Sequence, residues 1–280
     1  MDGYLDRLIS LALEEDLGAA GDITTEALIP AEAMGSAELV AKERLVLAGL
    51  EAFARVFVRV DPAAQVELLK ADGEEVEPRT VVARVHGHMR ALLTAERTAL
   101  NIVQRTSGMA TLARQAAAAV KGTSLKVLDT RKTAPGMRAL SKLAVRTGGA
   151  SNHRFGLFDG ILIKDNHIAA VGGSVREAIL RARAHAPQLV KIEVEVTNSA
   201  QLAEALEGGA DVVMLDNMDD EQIRQAVQQV AGRVRLEVSG GITLERLSRL
   251  AAMGVDYVSM GALTHSARAM DLSLEIISRP

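Results

Sequence analysis

Cysteine is absent from this 280-residue chain, and so is tryptophan. Without thiols there are no disulfides, no thiolate metal sites and no cysteine nucleophile. Only 2% of the residues are aromatic, too few to build stacking platforms for single-stranded nucleic acid. No window reaches the ~18 uncharged apolar residues that a membrane-spanning helix needs. The opening stretch, MDGYLDRLISLALEEDLG, carries acids through its apolar pattern and so does not read as a secretory leader. Neither GxGxxG nor GxxxxGK[ST] occurs, which argues against a Rossmann dinucleotide site and a P-loop. No HxH or HExxH falls at the strand ends described below, so a zinc enzyme is not expected. The expectation is a soluble, cytoplasmic protein that binds neither membrane nor nucleic acid.

Hydrophobic content of 48% and charged content of 24% are ordinary for a globular protein with a substantial core. The net charge is −4, yet residues 125–168 hold eight Lys/Arg against three acids, a formal +5. A cationic patch on an acidic chain points to a small anionic ligand rather than to a nucleic acid. Arg138, Lys142 and Arg146, at i, i+4 and i+8, are expected to be a solvated helix face. Arg131, Lys132, Arg154 and Lys164 differ, because they sit at strand ends or in a Gly-rich loop.

Leu5, Leu8, Ile9, Ala12 and Leu13 recur at helical spacing. Residues 35–48 read as extended, 50–59 as a helix, and 64–90 as a small antiparallel β module around Asp72-Gly73 and Glu77-Pro78. A helix opens at Thr94, and Thr106-Ser107-Gly108 is expected to break it. A domain boundary is placed at that break. Apolar strands follow at 125–128, 161–163, 191–196, 211–215, 234–238 and 256–260, with helical patterns at 174–185, 199–206, 219–230 and 244–252. This rhythm is that of βα units on a parallel sheet. Six strands are two short of an eightfold barrel, so an incomplete or seven-stranded barrel is preferred to an open doubly wound sheet.

In such folds ligands bind beyond the carboxyl ends of the strands. Those ends carry Asp129-Thr130-Arg131-Lys132, Lys164 to His167, Glu193/Glu195/Thr197, Asp216-Asn217, Ser239-Gly240-Gly241, and Met260-Gly261-Ala262 leading to His265. Cations come early and glycine turns late. Gly turns after the last two strands suit phosphate, held by backbone N–H groups. Glu193 and Glu195 share one strand face; Glu193 is read as a structural ion-pair partner. Glu195 and Asp216 suit ribose hydroxyls or Mg²⁺. His153 and His167 are candidate acid–base groups, with a purely structural role as the alternative.

These stretches resemble the quinolinate phosphoribosyltransferase family, the carboxylating nicotinate-nucleotide pyrophosphorylases. The resemblance rests on TAERTALNIVQRTSG (94–108), DTRKTAPGMR (129–138), GGASNHRFGLFDGILIKDNHI (148–168), EVEV (193–196), MLDN (214–217), EVSGGI (237–242) and GVDYVSMGALTHS (254–266). It implies an N-terminal α/β sandwich, 1–108, joined by the C-terminal tail 271–280, and an open seven-stranded α/β barrel, 109–270. It implies phosphoribosyl transfer from 5-phosphoribosyl 1-pyrophosphate to quinolinate with decarboxylation, in NAD biosynthesis. Carried over by position, Arg105, Arg131, His153, Arg154 and Lys164 would hold the two carboxylates, with Lys132 near the diphosphate and Thr130 among the substrate-binding residues. Glu195 and Asp216 would bind the ribose and Mg²⁺, the metal held directly or through the donor alone. Ser239, Gly240, Gly241, Met260, Gly261 and Ala262 would take the 5′-phosphate, with His265 nearby. Lys132, Lys164, Glu195 and Asp216 are the expected catalytic groups. The resemblance further implies a homo-oligomer, a dimer at least with a hexamer also open, in which Arg105 crosses to the partner's site. The usual acidic phosphoribosyl-binding loop, two acids followed by Thr-Gly, is not evident, so the pyrophosphate site must be built differently. A transferase for another acid such as nicotinate, a molybdenum-associated paralogue and a non-catalytic scaffold are the competing readings.

Overall fold

The structure is a computed structural model that describes residues 2–277. In chain order the elements are α1 (Asp2–Leu17), α2 (Ile23–Leu28), β1 (Met34–Ala41), β2 (Leu45–Val46), α3 (Leu50–Val60), β3 (Gln65–Leu68), β4 (Glu75–Val76), β5 (Val81–His88) and α4 (Met89–Ala119). Then come β6 (Lys126–Leu128), α5 (Arg138–Thr147), β7 (Ile161–Ile163), α6 (Asp165–Ala170), α7 (Val175–His185), β8 (Ile192–Val196) and α8 (Ser199–Gly208). The chain closes with β9 (Val212–Asp216), α9 (Asp220–Val230), β10 (Arg235–Ser239), α10 (Leu244–Ala251), β11 (Tyr257–Ser259), α11 (Ala262–His265) and β12 (Leu272–Ile277). No described helix is long and apolar enough to cross a membrane.

Two compact units divide the chain. The first takes residues up to Arg114, Thr133–Gly149 and the segment from Ser266. Its main sheet runs β12-β1-β5-β3, antiparallel throughout, with β2 and β4 paired beside it. Phe53 and Phe57 of α3, Leu39 of β1, Val82 of β5, Leu92 of α4 and Leu140 of α5 share its core. Of the tail expected over 271–280, β12 lies along β1, while 278–280 fall outside the described residues, as does Met1.

Helix α4 differs from expectation, because it runs through Thr106-Ser107-Gly108 without a break. These weak helix formers are held by their contacts. Thr106 Oγ1 donates to the Ile102 carbonyl at 2.8 Å, and Ser107 Oγ receives the Ala48 N–H at 3.1 Å. Gly108 is small because a Cβ there would lie 1.8 Å from the Arg268 carbonyl oxygen. The glycine therefore serves packing within a helix, and the compact units divide within that helix at Arg114. Helix α5, expected as a solvated basic face, also goes with the first unit. Arg146 is exposed, Arg138 is half-buried, and Lys142 is only 4% exposed. Leu140, Ala144 and Val145 pull that face of the helix inward.

The second unit is a parallel sheet, β6-β11-β10-β9-β8-β7, with six strands among the described residues. Ser151 forms a single parallel bridge to Leu128, a one-residue trace of a seventh strand beyond β6. Strands β6 and β7 do not pair, so the barrel is open. Val194, Val213, Leu215, Val238 and Val258 are fully buried, as expected of a sheet covered on both faces. The connecting helices start on capping side chains: Ser174 receives the Glu177 N–H, Asn198 the Gln201 N–H, and Asp219 with Gln222 forms a reciprocal capping box. Every strand thus delivers its carboxyl end into a short loop, and those loops build the site.

Candidate active site

A cavity of about 580 Å³ opens beyond the carboxyl ends of the parallel strands. Each strand contributes to it: Thr130, Arg131 and Lys132 follow β6, Lys164 follows β7, Glu195 lies on β8, and Asp216 and Asn217 end β9. Ser239 to Gly241 end β10, Ser259 ends β11, and His153 and Arg154 enter from the loop after Ser151.

Asp129, fully buried at the end of β6, anchors that loop. It accepts the His153 N–H at 2.9 Å and the Asn152 side-chain amide at 2.5 Å. Arg154 then reaches along the cavity and donates from Nη1 to the Gly160 carbonyl at 2.9 Å. Burial, and after it the nearby Arg131, hold the Arg154 guanidinium below its ordinary pKa, with Glu193, Asp159 and Glu195 opposing. Arg131 Nε is buried with no hydrogen-bond partner. Two clustered guanidinium groups, one with an unused donor, form a site short of anionic acceptors.

Lys164 forms an ion pair with Glu195, across from the register position of Met214. Asp216 receives the Asn217 side-chain N–H at 2.9 Å, and Asn217 itself sits at φ +54. Gly240 is required by two features at once: its φ is +92, and a Cβ would lie 2.1 Å from Asn217 Oδ1. The backbone after β10 is thereby kept low beside the cavity.

Of the residues expected to bind substrate, Thr130, Arg131, Lys132, His153, Arg154, Lys164, Glu195, Asp216, Ser239, Gly240 and Gly241 line this one cavity. Met260 is buried and donates its N–H to the Leu128 carbonyl. Gly261 lies against Lys132 and His265, where a Cβ would be 3.2 Å and 3.1 Å from their side chains, and Ala262 opens α11 behind it. Arg105 belongs to the first unit, donates to the Ala267 carbonyl at 2.6 Å, and lines a separate cavity with Leu8, Asn101 and Met137. His167 is exposed and caps α6, its Nδ1 receiving the Lys164 N–H at 2.9 Å.

Two models of one family match almost the whole length. "Quinolinate phosphoribosyl transferase, N-terminal domain" covers residues 22–107 and "Quinolinate phosphoribosyl transferase, C-terminal domain" covers 109–275. This chain belongs to the quinolinate phosphoribosyltransferase family. It is 44% identical over 272 residues to the probable nicotinate-nucleotide pyrophosphorylase [carboxylating] of Bacillus subtilis (strain 168), covering 97% of this chain and 93% of that protein. It is 40% identical over 290 residues to the mitochondrial quinolinate phosphoribosyltransferase [decarboxylating] 2a of Nicotiana tabacum, covering 97% and 82%. The crystal structure of NadC from Streptococcus pyogenes superposes with a TM-score of 0.93 at 43% identity, covering 99% of each chain.

Beneath this cavity Glu193 pairs with His153, as its reading as a structural ion-pair partner expects, while Glu237 is a residue the sequence analysis does not single out. Glu237 of β10 is 1% exposed and Glu193 of β8 is 8% exposed. His153 Nε2 lies 2.9 Å from Glu193 Oε2 and 3.7 Å from Glu237 Oε1. Burial first, then the Glu193 carboxylate, push the Glu237 carboxyl up to about 8, against His153 and the Ser259 hydroxyl, which pull it down. A signal was available: Glu237 is two residues before Ser239 and so shares its strand face.

Proposed function

We propose that this chain transfers the phosphoribosyl group of 5-phosphoribosyl 1-pyrophosphate to the ring nitrogen of quinolinate, releasing CO₂ and pyrophosphate and giving nicotinate mononucleotide in de novo NAD biosynthesis. One observation carries the reading. A single cavity gathers Arg131, Lys132, Arg154 and Lys164 next to two carboxylates and a Gly-Gly turn. That set matches a doubly negative acid lying beside a sugar phosphate.

The substrate carboxylates face Arg131, Arg154 and Lys164, and the buried Arg131 Nε gains the acceptor it lacks. The 5′-phosphate lies against the backbone of Ser239, Gly240 and Gly241, whose N–H groups suit an anion. Glu195 and Asp216 fix the ribose hydroxyls. So held, the pyridine nitrogen is set against C1 of the ribose. The C1–O bond breaks, its electron pair leaves with pyrophosphate, and the nitrogen lone pair forms the new N–C1 bond. No base is needed, since that nitrogen carries no proton. Lys132 and the neighbouring cations stabilise the departing charge. The bond from C2 to its carboxylate then breaks, the pyridinium nitrogen stabilises the electron pair left behind, and a proton takes the vacated position.

Glu195, next to the end of β8, and Asp216, at the end of the adjacent β9, bring carboxylate oxygens to the cavity. That donor set fits Mg²⁺, which prefers oxygen ligands, keeps several waters and is commonly shared with substrate phosphates. When bound, the ion would neutralise charge on the pyrophosphate. The chain works as a homodimer at least, one copy lending Arg105 to the other's cavity, and a cytoplasmic location suits its water-soluble substrates. Supplying quinolinate or nicotinate as the acceptor tests the reading: nicotinate mononucleotide should form from quinolinate. Turnover of nicotinate alone would favour the competing transferase.

A further inference from the structure

His153 lines the cavity, but its ring nitrogens face protein. The Arg154 backbone N–H donates to Nδ1 at 2.8 Å. An amide N–H can only donate, so Nδ1 carries no proton, and the proton of the neutral ring is on Nε2. From there it is directed to Glu193 Oε2 at 2.9 Å. The imidazole therefore joins the Arg154 backbone above to a buried carboxyl pair below.

That pair needs an explanation of its own. His153, Glu193 and Glu237 bring three ligand-type atoms within 4.8 Å of one another. A metal ion on Nε2 would shift the ring proton to Nδ1, where it would confront the Arg154 N–H, donor against donor. The tautomer thus argues against a cation. Both carboxyls also carry an oxygen, Glu193 Oε1 and Glu237 Oε1, that is buried without a hydrogen-bond partner. Two ionised carboxylates so placed would be costly, whereas a proton on one lets it donate to the other. Glu237 is the more deeply buried and takes the proton.

We propose that Glu237 is a positioning residue for the carboxylate-binding half of the cavity. As the neutral acid it donates to Glu193, Glu193 holds the Nε2–H of His153, and the imidazole receives the Arg154 amide, fixing where the Arg154 guanidinium meets the substrate. The protonated pair also leaves one negative charge, not two, beneath the guanidinium groups. The cavity therefore stays cationic toward a dianion. This rests on the transferase reading above.

The test compares Glu237→Gln, which keeps a neutral donor of the same length, with Glu237→Asp, which keeps the ionisable group but shortens it. In steady-state assays Glu237→Gln should leave the quinolinate KM within about twofold of wild type, while Glu237→Asp raises it about tenfold, the effect of one lost charge-assisted hydrogen bond. The KM for the phosphoribosyl donor should move by less than about twofold in both variants. Equal quinolinate KM shifts in the two variants, or donor KM shifts as large as the quinolinate ones, would overturn the proposal. Should Glu237→Asp fail to fold, the ¹⁵N shifts of the His153 ring in the wild-type protein decide. The neutral Nε2–H tautomer supports the chain of contacts, and an Nδ1–H ring or an imidazolium overturns it. A wild-type protein that does not turn over quinolinate would instead remove the transferase reading itself.

Discussion

Arg154 is the residue in which burial, charge and function meet. Its guanidinium is half-buried beside Arg131, and both forces lower its pKa. A bound dicarboxylate relieves that crowding, so Arg154→Ala should weaken quinolinate binding by about 2–5 kcal/mol while donor binding changes little. Calorimetry with each substrate measures this, and a quinolinate loss below ~0.5 kcal/mol would contradict the assignment. Glu237 gives a second outcome, in stability. Its carboxyl is raised from 4.5 to about 8 in the fold. The folded state therefore binds more protons than the unfolded chain between these values, and stability falls as pH rises through the window. The contribution is complete below the unfolded pKa and lost above the folded one. Between pH 5 and 8 the wild type should lose stability relative to Glu237→Gln by on the order of 1 kcal/mol per pH unit, read by chemical denaturation. Parallel pH profiles would show that the carboxyl does not hold its proton. The cations and glycines of the site were legible in the sequence because strand ends concentrate ligand chemistry. Glu237 was legible only as an acid on the same strand face as Ser239, since a lone acid between apolar neighbours shows no sign of the partner it meets two strands away.

Among the elements, the βα repeats could be read with little error. Short runs such as VLD, IEVEV and VVMLD are buried almost throughout and alternate with helices, several of which carry their own capping side chains. The seventh strand was not legible from pattern, because it amounts to one bridge at Ser151 inside a polar loop. Helix α4 was misread for a different reason. Thr106, Ser107 and Gly108 lower helix propensity locally, yet tertiary contacts to Ala48 and Arg268 hold the helix intact, and such contacts have no local signature. This gives a test. Gly108→Ala should raise helix propensity but force the Arg268 backbone aside, so the net result should be destabilisation by about 1–3 kcal/mol, read from denaturant unfolding. A stabilised variant would mean that Gly108 serves no close approach.

For the whole molecule, the composition excluded more than it identified, and the family was carried by the order of rare clusters along nearly the full chain. The first unit holds Arg105 and the second holds the cavity. If Arg105 serves a partner's cavity, Arg105→Ala and Arg154→Ala proteins, each weak alone, should complement when co-expressed. Random pairing restores one complete site in half of the dimers, about a quarter of wild-type activity. No gain over the parents would place Arg105 outside the partner's site. The most direct measurement uses quinolinate labelled in the 2-carboxylate, with the phosphoribosyl donor and Mg²⁺. Expected is one labelled CO₂ for each pyrophosphate formed, and none when the donor is left out; pyrophosphate without CO₂, or no turnover at all, would contradict the proposed reaction.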